Sequence, residues 1–343
     1  MIADGRRRPT IYDVARAAGV SKTTVSHALS GHRPVDAATR ARVTQAVSEL
    51  GYAPSLRAQR LSTGRGQNLA LIDTMPASVT GGVSLYGYFI ETAMASARSA
   101  LLRDYAVVLV PAAHGISALS RLDVDGGIVI DPLRDDPVLA QLRRRGLPVV
   151  TIGRDYTDGV RGPFVDRGAA GADIILEHLV HQGARRIAYL SGRQPRSLTL
   201  ATRDYYQQWV AARNQPALVP MAEESDGEEG GRSAVAELLA AVPEVDAIYA
   251  PVDALAAGAR DAVLAAGLTI PGDVMVATNY NGEQSRMGPV ELTCLDLDLG
   301  GLAGRAVDLL IDLIEGRDVP ERTTAAAPRL IPRVSTERPQ PGR

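Results

Sequence analysis

Lysine is almost absent from this chain: Lys22 is the only one in 343 residues, beside 36 arginines. That scarcity excludes a phosphate-gripping Walker A loop and a Schiff-base lysine from everything after the N-terminal segment. Cysteine is as rare. Cys294, in the apolar run ELTCLDLDL, has no second thiol to pair with, so no intrachain disulfide is expected. It reads as a small buried strand residue, and a reducing cytoplasm is the expected compartment. No run of about 18 uninterrupted apolar residues is present, so no spanning helix is expected. The opening MIADGRRRPT carries basic charge with no apolar core behind it, so no signal peptide is expected. HExxH is missing, and no GxGxxG follows a strand. In EHLVH, His178 and His181 lie three apart on one helix without a third ligand, and a structural role is the better reading. The run EESDGEEGG, residues 223–231, reads as a solvated loop. No catalytic constellation can be assembled, so no enzyme, metal or cofactor is expected.

What is present is unevenly distributed. Residues 1–65 hold eleven Lys and Arg against four Asp and Glu, whereas the remainder holds 26 against 35. A basic head on an acidic body suggests that the head meets a polyanion and the body does not.

The head parses into three helices with explicit start and stop signals. Thr10 and Asp13 form a capping-box pattern before Ile11, Val14, Ala15 and Ala18, and Gly19 ends that helix. Ser21 can cap KTTVSHALS, which Gly31 stops. Asp36 can cap AATRARVTQAVSELG, with Val43, Ala46, Val47 and Leu50 as its apolar stripe and Gly51 as its stop. Two short helices around a glycine turn, with a third across them, have the spacing of a helix-turn-helix unit. SLRAQRLSTGR, which follows, has helical spacing but little to bury. From about residue 68, LALID, AVVLV, GGIVI, PVVTI, RIAYL, AIYA and VMVAT alternate with amphipathic helices, the pattern of doubly wound, mostly parallel α/β sheets. Ligands in such sheets bind beyond the carboxyl ends of the strands.

In VSKTTVSHALSG the exposed first turn would carry Lys22, Thr23 and Ser26, with His27 on the same side and Val25 and Ala28 turned inward. Lys can donate to guanine or phosphate, Thr suits phosphate or the thymine methyl, and His can serve a base edge in either sense. TIYDVARAAGVSKTTVSHALSG, followed by VDAATRARVTQAVSELGYAPSLRAQRLSTG, resembles without a gap the DNA-binding head of the LacI/GalR family of bacterial transcription regulators, and is closest to its purine-repressor branch. The resemblance places Lys22, Thr23 and His27 on bases in the major groove. Thr10, Ser21, Thr24 and Ser26 fall within the same DNA-contacting surface, Thr24 and Ser26 at phosphate positions. Leu61 matches the leucine wedged into the minor groove when hinge helices of two subunits pair, and Ala58 the small residue that lets them approach. Ser55 departs from the more usual Asn.

The body resembles the same family's effector domain through DGGIVI, GLPVVTIGR, HLVHQGARRIAYLSG, AIYAPVDALAAGA and IPGDVMVAT. The implied fold is an N-terminal all-α helix-turn-helix head plus a periplasmic-binding-protein-like α/β domain of two doubly wound subdomains. The expected divisions are 1–54 for the head, 55–66 for hinge and linker, and 67–343 for effector binding and dimerisation. Within the last, 67–163 with 295–326 would form one subdomain and 164–294 with 327–338 the other. Effector-facing positions implied by the resemblance are Tyr88, Phe89, Arg154, Asp166, Thr199, Arg203, Asp253 and Asn279, with Arg203 expected to hold a ligand oxygen in its fork of donors. Val252, Leu297, Gly153 and the pair Tyr206 and Gln207 depart from the family pattern and favour a flatter, less hydroxylated metabolite over a sugar.

The expected partners are a double-stranded DNA operator, a small-molecule effector (sugar, nucleobase or other metabolite) and a second copy of the chain, with no membrane. An exported solute-binding protein would share the body but has no use for residues 10–64. An α/β enzyme would need a catalytic set.

Overall fold

The computed structural model describes residues 9–30, 33–52, 66–80, 87–111, 115–167 and 169–338. The chain divides into two compact units, Met1–Gly66 and Gln67–Arg343.

The first unit is built from α1 (Ile11–Ala18), α2 (Lys22–Ser30) and α3 (Ala37–Leu50). Their ends carry the signals in the sequence. The Asp13 carboxylate accepts from the Thr10 N–H at 2.8 Å and the Thr10 hydroxyl at 2.7 Å. Ser21 Oγ accepts from the Thr24 N–H at 3.0 Å, and Asp36 Oδ1 from the Thr39 N–H at 2.9 Å. Gly19 and Gly51 close α1 and α3 in the left-handed region, with φ of 64° and 61°, where a Cβ would be strained. Val14, Ala18, Val25, Val43 and Ala46 form the shared core, and Tyr52 joins it from beyond α3. Leu50, expected in the apolar stripe, is instead 37 % exposed at the last residue of α3. The Gly31 stop, Ser55, Ala58 and Leu61 lie outside the described residues.

The second unit holds two sheets. In the first lobe, β1 (Asn68–Asp73), β2 (Ala106–Val110), β3 (Gly126–Ile130), β4 (Val149–Ile152) and β5 (Phe164–Asp166) are joined by β12 (Arg322–Thr324) in the order β12-β5-β4-β3-β1-β2, every pair parallel. The second lobe contains β6 (Ile187–Tyr189), β9 (Ala247–Tyr249), β10 (Met275–Tyr280), β11 (Thr293–Asp296) and β13 (Arg329–Ile331) in the order β13-β11-β10-β9-β6, with β13 antiparallel at one edge. A two-stranded parallel ladder, β7 (Ser191–Gly192) with β8 (Met221–Ala222), extends from β6. The sequence patterning expected doubly wound, mostly parallel sheets, and this is that architecture. The central strands β1, β3, β4, β6, β9 and β10 are buried on both faces, which is why they read as apolar runs and not as alternations. β5 belongs to the first sheet and all of β11 to the second, so the chain passes between lobes slightly later than the expected boundaries, where strand pairing and not composition ends.

One expectation fails outright. Residues 223–231 do not form a solvated loop: Glu224 is 1 % exposed in a 3-10 turn, and Gly227 begins the helix Gly227–Ala241. The Glu224 carboxylate accepts from the backbone N–H groups of Arg193 at 3.1 Å and Gln194 at 3.2 Å. Its acidity serves an internal anion role. Cys294, by contrast, is fully buried in β11, and His178 is tied to Thr336 Oγ1 at 2.7 Å.

Candidate DNA-reading helix and effector cleft

The head presents one polar face. On α2, Ser21, Lys22, Thr23 and Ser26 are exposed, Thr24 and His27 half-buried and Val25 fully buried, so the helix is anchored from behind and open in front. Ser21 and Thr24 share their hydroxyls at 2.8 Å as part of the cap. The unexpected member is Tyr12. It is 61 % exposed on α1, with Lys22 Nζ 5.1 Å from its ring centroid and 3.5 Å from its hydroxyl. A ring that leaves its own helix's core stripe was the available sequence signal. The contact orients the lysine ammonium along the surface of the unit.

In the second unit a partly open cavity of about 120 Å³ lies between the lobes. It sits where the first sheet reverses order: Asp73 ends β1 and Asp131 follows β3, the neighbouring strands at the switch. Four of the eight expected residues line it, namely Tyr88, Phe89, Asp253 and Asn279. Val252 and Leu297, the departures from the family pattern, also line it.

The other four do not reach it. Arg154 is exposed, its guanidinium 5.3 Å from the Tyr156 ring; Asp166 is ion-paired with Arg322 at 2.6 Å. Thr199 is buried with its carbonyl 3.5 Å from the Tyr189 hydroxyl. Arg203 donates to Ser191 Oγ at 2.9 Å and Gly192 O at 3.2 Å. The helix Ser197–Ala211 turns Leu198 and Thr202 toward the cavity. Residues one step further along are rotated by about 100° toward the second lobe's own strands.

The arginine of the cavity is Arg167, which reasoning from the sequence missed because it lies in a short segment outside any periodic pattern. Its guanidinium donates to the Tyr88 hydroxyl at 3.0 Å and pairs with Asp131 at 3.5 Å. The Tyr88 ring meets that of Tyr280 edge-on, centroids 5.6 Å apart. Asn279 Oδ1 accepts from the Tyr249 hydroxyl at 2.7 Å. Burial pushes the Asp73 carboxyl up to about 6, partly offset by the Met75 N–H that it accepts, and burial does the same to Asp253.

The lobes are also latched beside the cavity. The Asp131 carboxylate accepts from the Leu198 N–H at 2.7 Å. Arg196, 3 % exposed, donates to Thr74 Oγ1 at 2.8 Å and Thr74 O at 2.6 Å. Gly153 explains itself here: at φ 95° a Cβ would stand 2.5 Å from Ser197 Oγ, so the acid common in the family has no room. Arg196→Ala removes these charged bonds and strands the Thr74 carbonyl. It is expected to cost about 2–4 kcal/mol and lower the second unit's melting temperature by roughly 4–8 °C in calorimetry. An unchanged melt would show that the lobes do not depend on the latch.

A helix-turn-helix unit joined in one chain to a two-lobed, ligand-sized cleft defines a class: DNA-binding regulators that carry their own effector domain. Residues 10–55 match the model of bacterial regulatory proteins of the lacI family, and residues 176–336 match the periplasmic binding protein-like domain. The chain thus carries a lacI-family regulatory head and a periplasmic binding protein-like domain. It is 29 % identical over 323 residues to the HTH-type transcriptional regulator CelR of Thermobifida fusca, covering 91 % of this chain and 93 % of that one. To the HTH-type transcriptional repressor PurR of Yersinia pestis bv. Antiqua it is 27 % identical over 340 residues, covering 95 % and 96 %. Among solved structures, a CelR–cellobiose complex superposes with a TM-score of 0.70 at 26 % identity, covering 96 % of this chain and all of that one. The lac repressor dimer bound to operator and an anti-inducer gives 0.72 at 23 % identity, a likeness of fold. Among the described residues no helix is long and apolar enough to cross a membrane.

Proposed function

We propose that the protein is a cytoplasmic repressor that binds a pseudo-palindromic operator as a homodimer and is controlled by a small molecule held in the interlobe cleft. The observation that carries this reading is the face of α2, where Lys22, Thr23 and Ser26 stand exposed on a helix fixed by Val25 and the Ser21 cap. Lys22, Thr23 and His27 read bases; Thr24 and Ser26, with Thr10 and Ser21 nearby, face phosphate. Two such helices, related by the dimer axis, occupy half-sites about one helical turn apart. Ala58 and Leu61 complete the interface at the operator centre, where an apolar wedge bends the duplex. The effector acts by favouring one lobe arrangement over another, a coupling typically worth about 1–3 kcal/mol. Tyr88, Phe89, Asp253 and Asn279 contact it, and Arg167 and Asp131 join them.

Selection of duplexes from a random library by the full-length protein tests this. Enrichment of a sequence with two inverted half-sites is the expected outcome. Recovery of unrelated sequences in proportion to their abundance would refute the repressor reading.

A further inference from the structure

We infer that the cleft takes a small organic cation, a body of about one ring bearing a protonated amine or amidinium whose charge is met by Asp73 and Asp253 and whose ring lies against Tyr88 and Tyr280. The inference rests on the cleft being the effector site.

Size is the first argument. The partly open cavity of about 120 Å³ compares with the roughly 150 Å³ that accommodates a single benzene, so the part of the occupant held inside in this lobe arrangement is about one ring. Charge is the second. Asp73, Asp131 and Asp253 line the cavity, and Glu228 faces Asp253 from the neighbouring helix. Two guanidiniums oppose these four carboxylates, and both are already engaged. Arg167 serves Tyr88 and Asp131, and Arg196, which faces Asp73, holds Thr74 and the Asp131 carbonyl. Anionic ligands therefore meet net repulsion.

Asp73 is the third argument. It is 4 % exposed and lines the cavity, and its carboxylate accepts from the Met75 N–H at 3.0 Å and from the Thr74 N–H. A buried carboxylate whose charge is only partly met is costly, and a ligand ammonium lowers that cost. Burial holds both Asp73 and Asp253 near 6; the charge of Arg196 offsets it only in part at Asp73, and at Asp253 Glu228 adds to it. The remaining wall is largely apolar, with Val79, Phe89, Ile130, Val252 and Leu297, so a polyol would leave most hydroxyls unsatisfied. Tyr88 and Tyr280 add cation–π attraction.

The test uses the full chain with benzylamine, benzamidine and cyclohexylamine as cations, benzyl alcohol and benzoate as neutral and anionic counterparts, and glucose. Near 100 times its dissociation constant a cation should raise the melting temperature by about 5 °C. Asp73→Asn and Asp253→Asn should each weaken it at least tenfold in calorimetry. So should lowering the pH from 7.5 to 5, since the carboxylates lose charge below about 6 while the amine keeps its own. Failure of every cation to stabilise, or affinity indifferent to both substitutions and to pH, overturns the proposal. Tighter binding of glucose or benzyl alcohol that Val252→Phe blocks overturns the cation and leaves the cleft as the effector site. Cation binding that survives Val252→Phe and both Asn variants overturns the cleft as well.

Discussion

Gly258→Val is expected to prevent the second lobe from folding at 37 °C. Gly258 lies in the helix Asp253–Ala265, where a Cβ would overlap the Glu228 carbonyl oxygen and stand 2.7 Å from Arg232 N. On the facing helix, Gly231 is pressed against the Leu255 backbone in the same way. Two backbones touch at paired glycines, so no rotamer change can make room; the helices must part and uncover Val235, Leu255 and Val263. The expected cost is about 4 kcal/mol or more, a fall in melting temperature of at least roughly 8 °C. Gly267→Ala is the control. Gly267 has φ 76° and open space around it, so backbone strain alone applies, about 1 kcal/mol. Equal melting of both variants would show that the glycine contact does not govern the lobe.

The second large effect concerns DNA. Lys22→Glu places an anion on the exposed face of α2, and its only described contact is with Tyr12. Loss of that contact costs about 0.5–1 kcal/mol, so the head should remain folded. Operator affinity should fall at least about a hundredfold, because one attractive contact becomes a repulsion beside the phosphates. Lys22→Ala should be milder and should relax preference at one operator position while barely altering the salt slope. Filter binding against operator variants separates the two. A Lys22→Glu protein that binds normally would remove α2 from the interface.

The head was legible because every decision in it is local. Thr10, Asp13, Gly19, Ser21, Asp36 and Gly51 each act within four residues, and the caps stand where the sequence placed them. The central strands were legible for a different reason, their burial on both faces. The cleft was half legible. Tyr88 and Asp253 are first residues of helices beside the cavity, whereas Arg203 missed it because one helical step changes which lobe a side chain meets. Arg167 and Asp131 gain their roles from strands far apart in sequence, and no local pattern marks them. The acidic run at 223–231 misled because composition does not reveal that Glu224 faces a row of backbone N–H groups, or that its glycines are packing surfaces.

The central claim is that the head reads sequence and does not merely adhere to polyanions. The direct measurement is competition at physiological salt between the selected duplex and scrambled DNA of equal length for the full-length protein. A preference of about a thousandfold or more is predicted. A ratio near one, with binding to both lost alike as salt rises, would contradict the account.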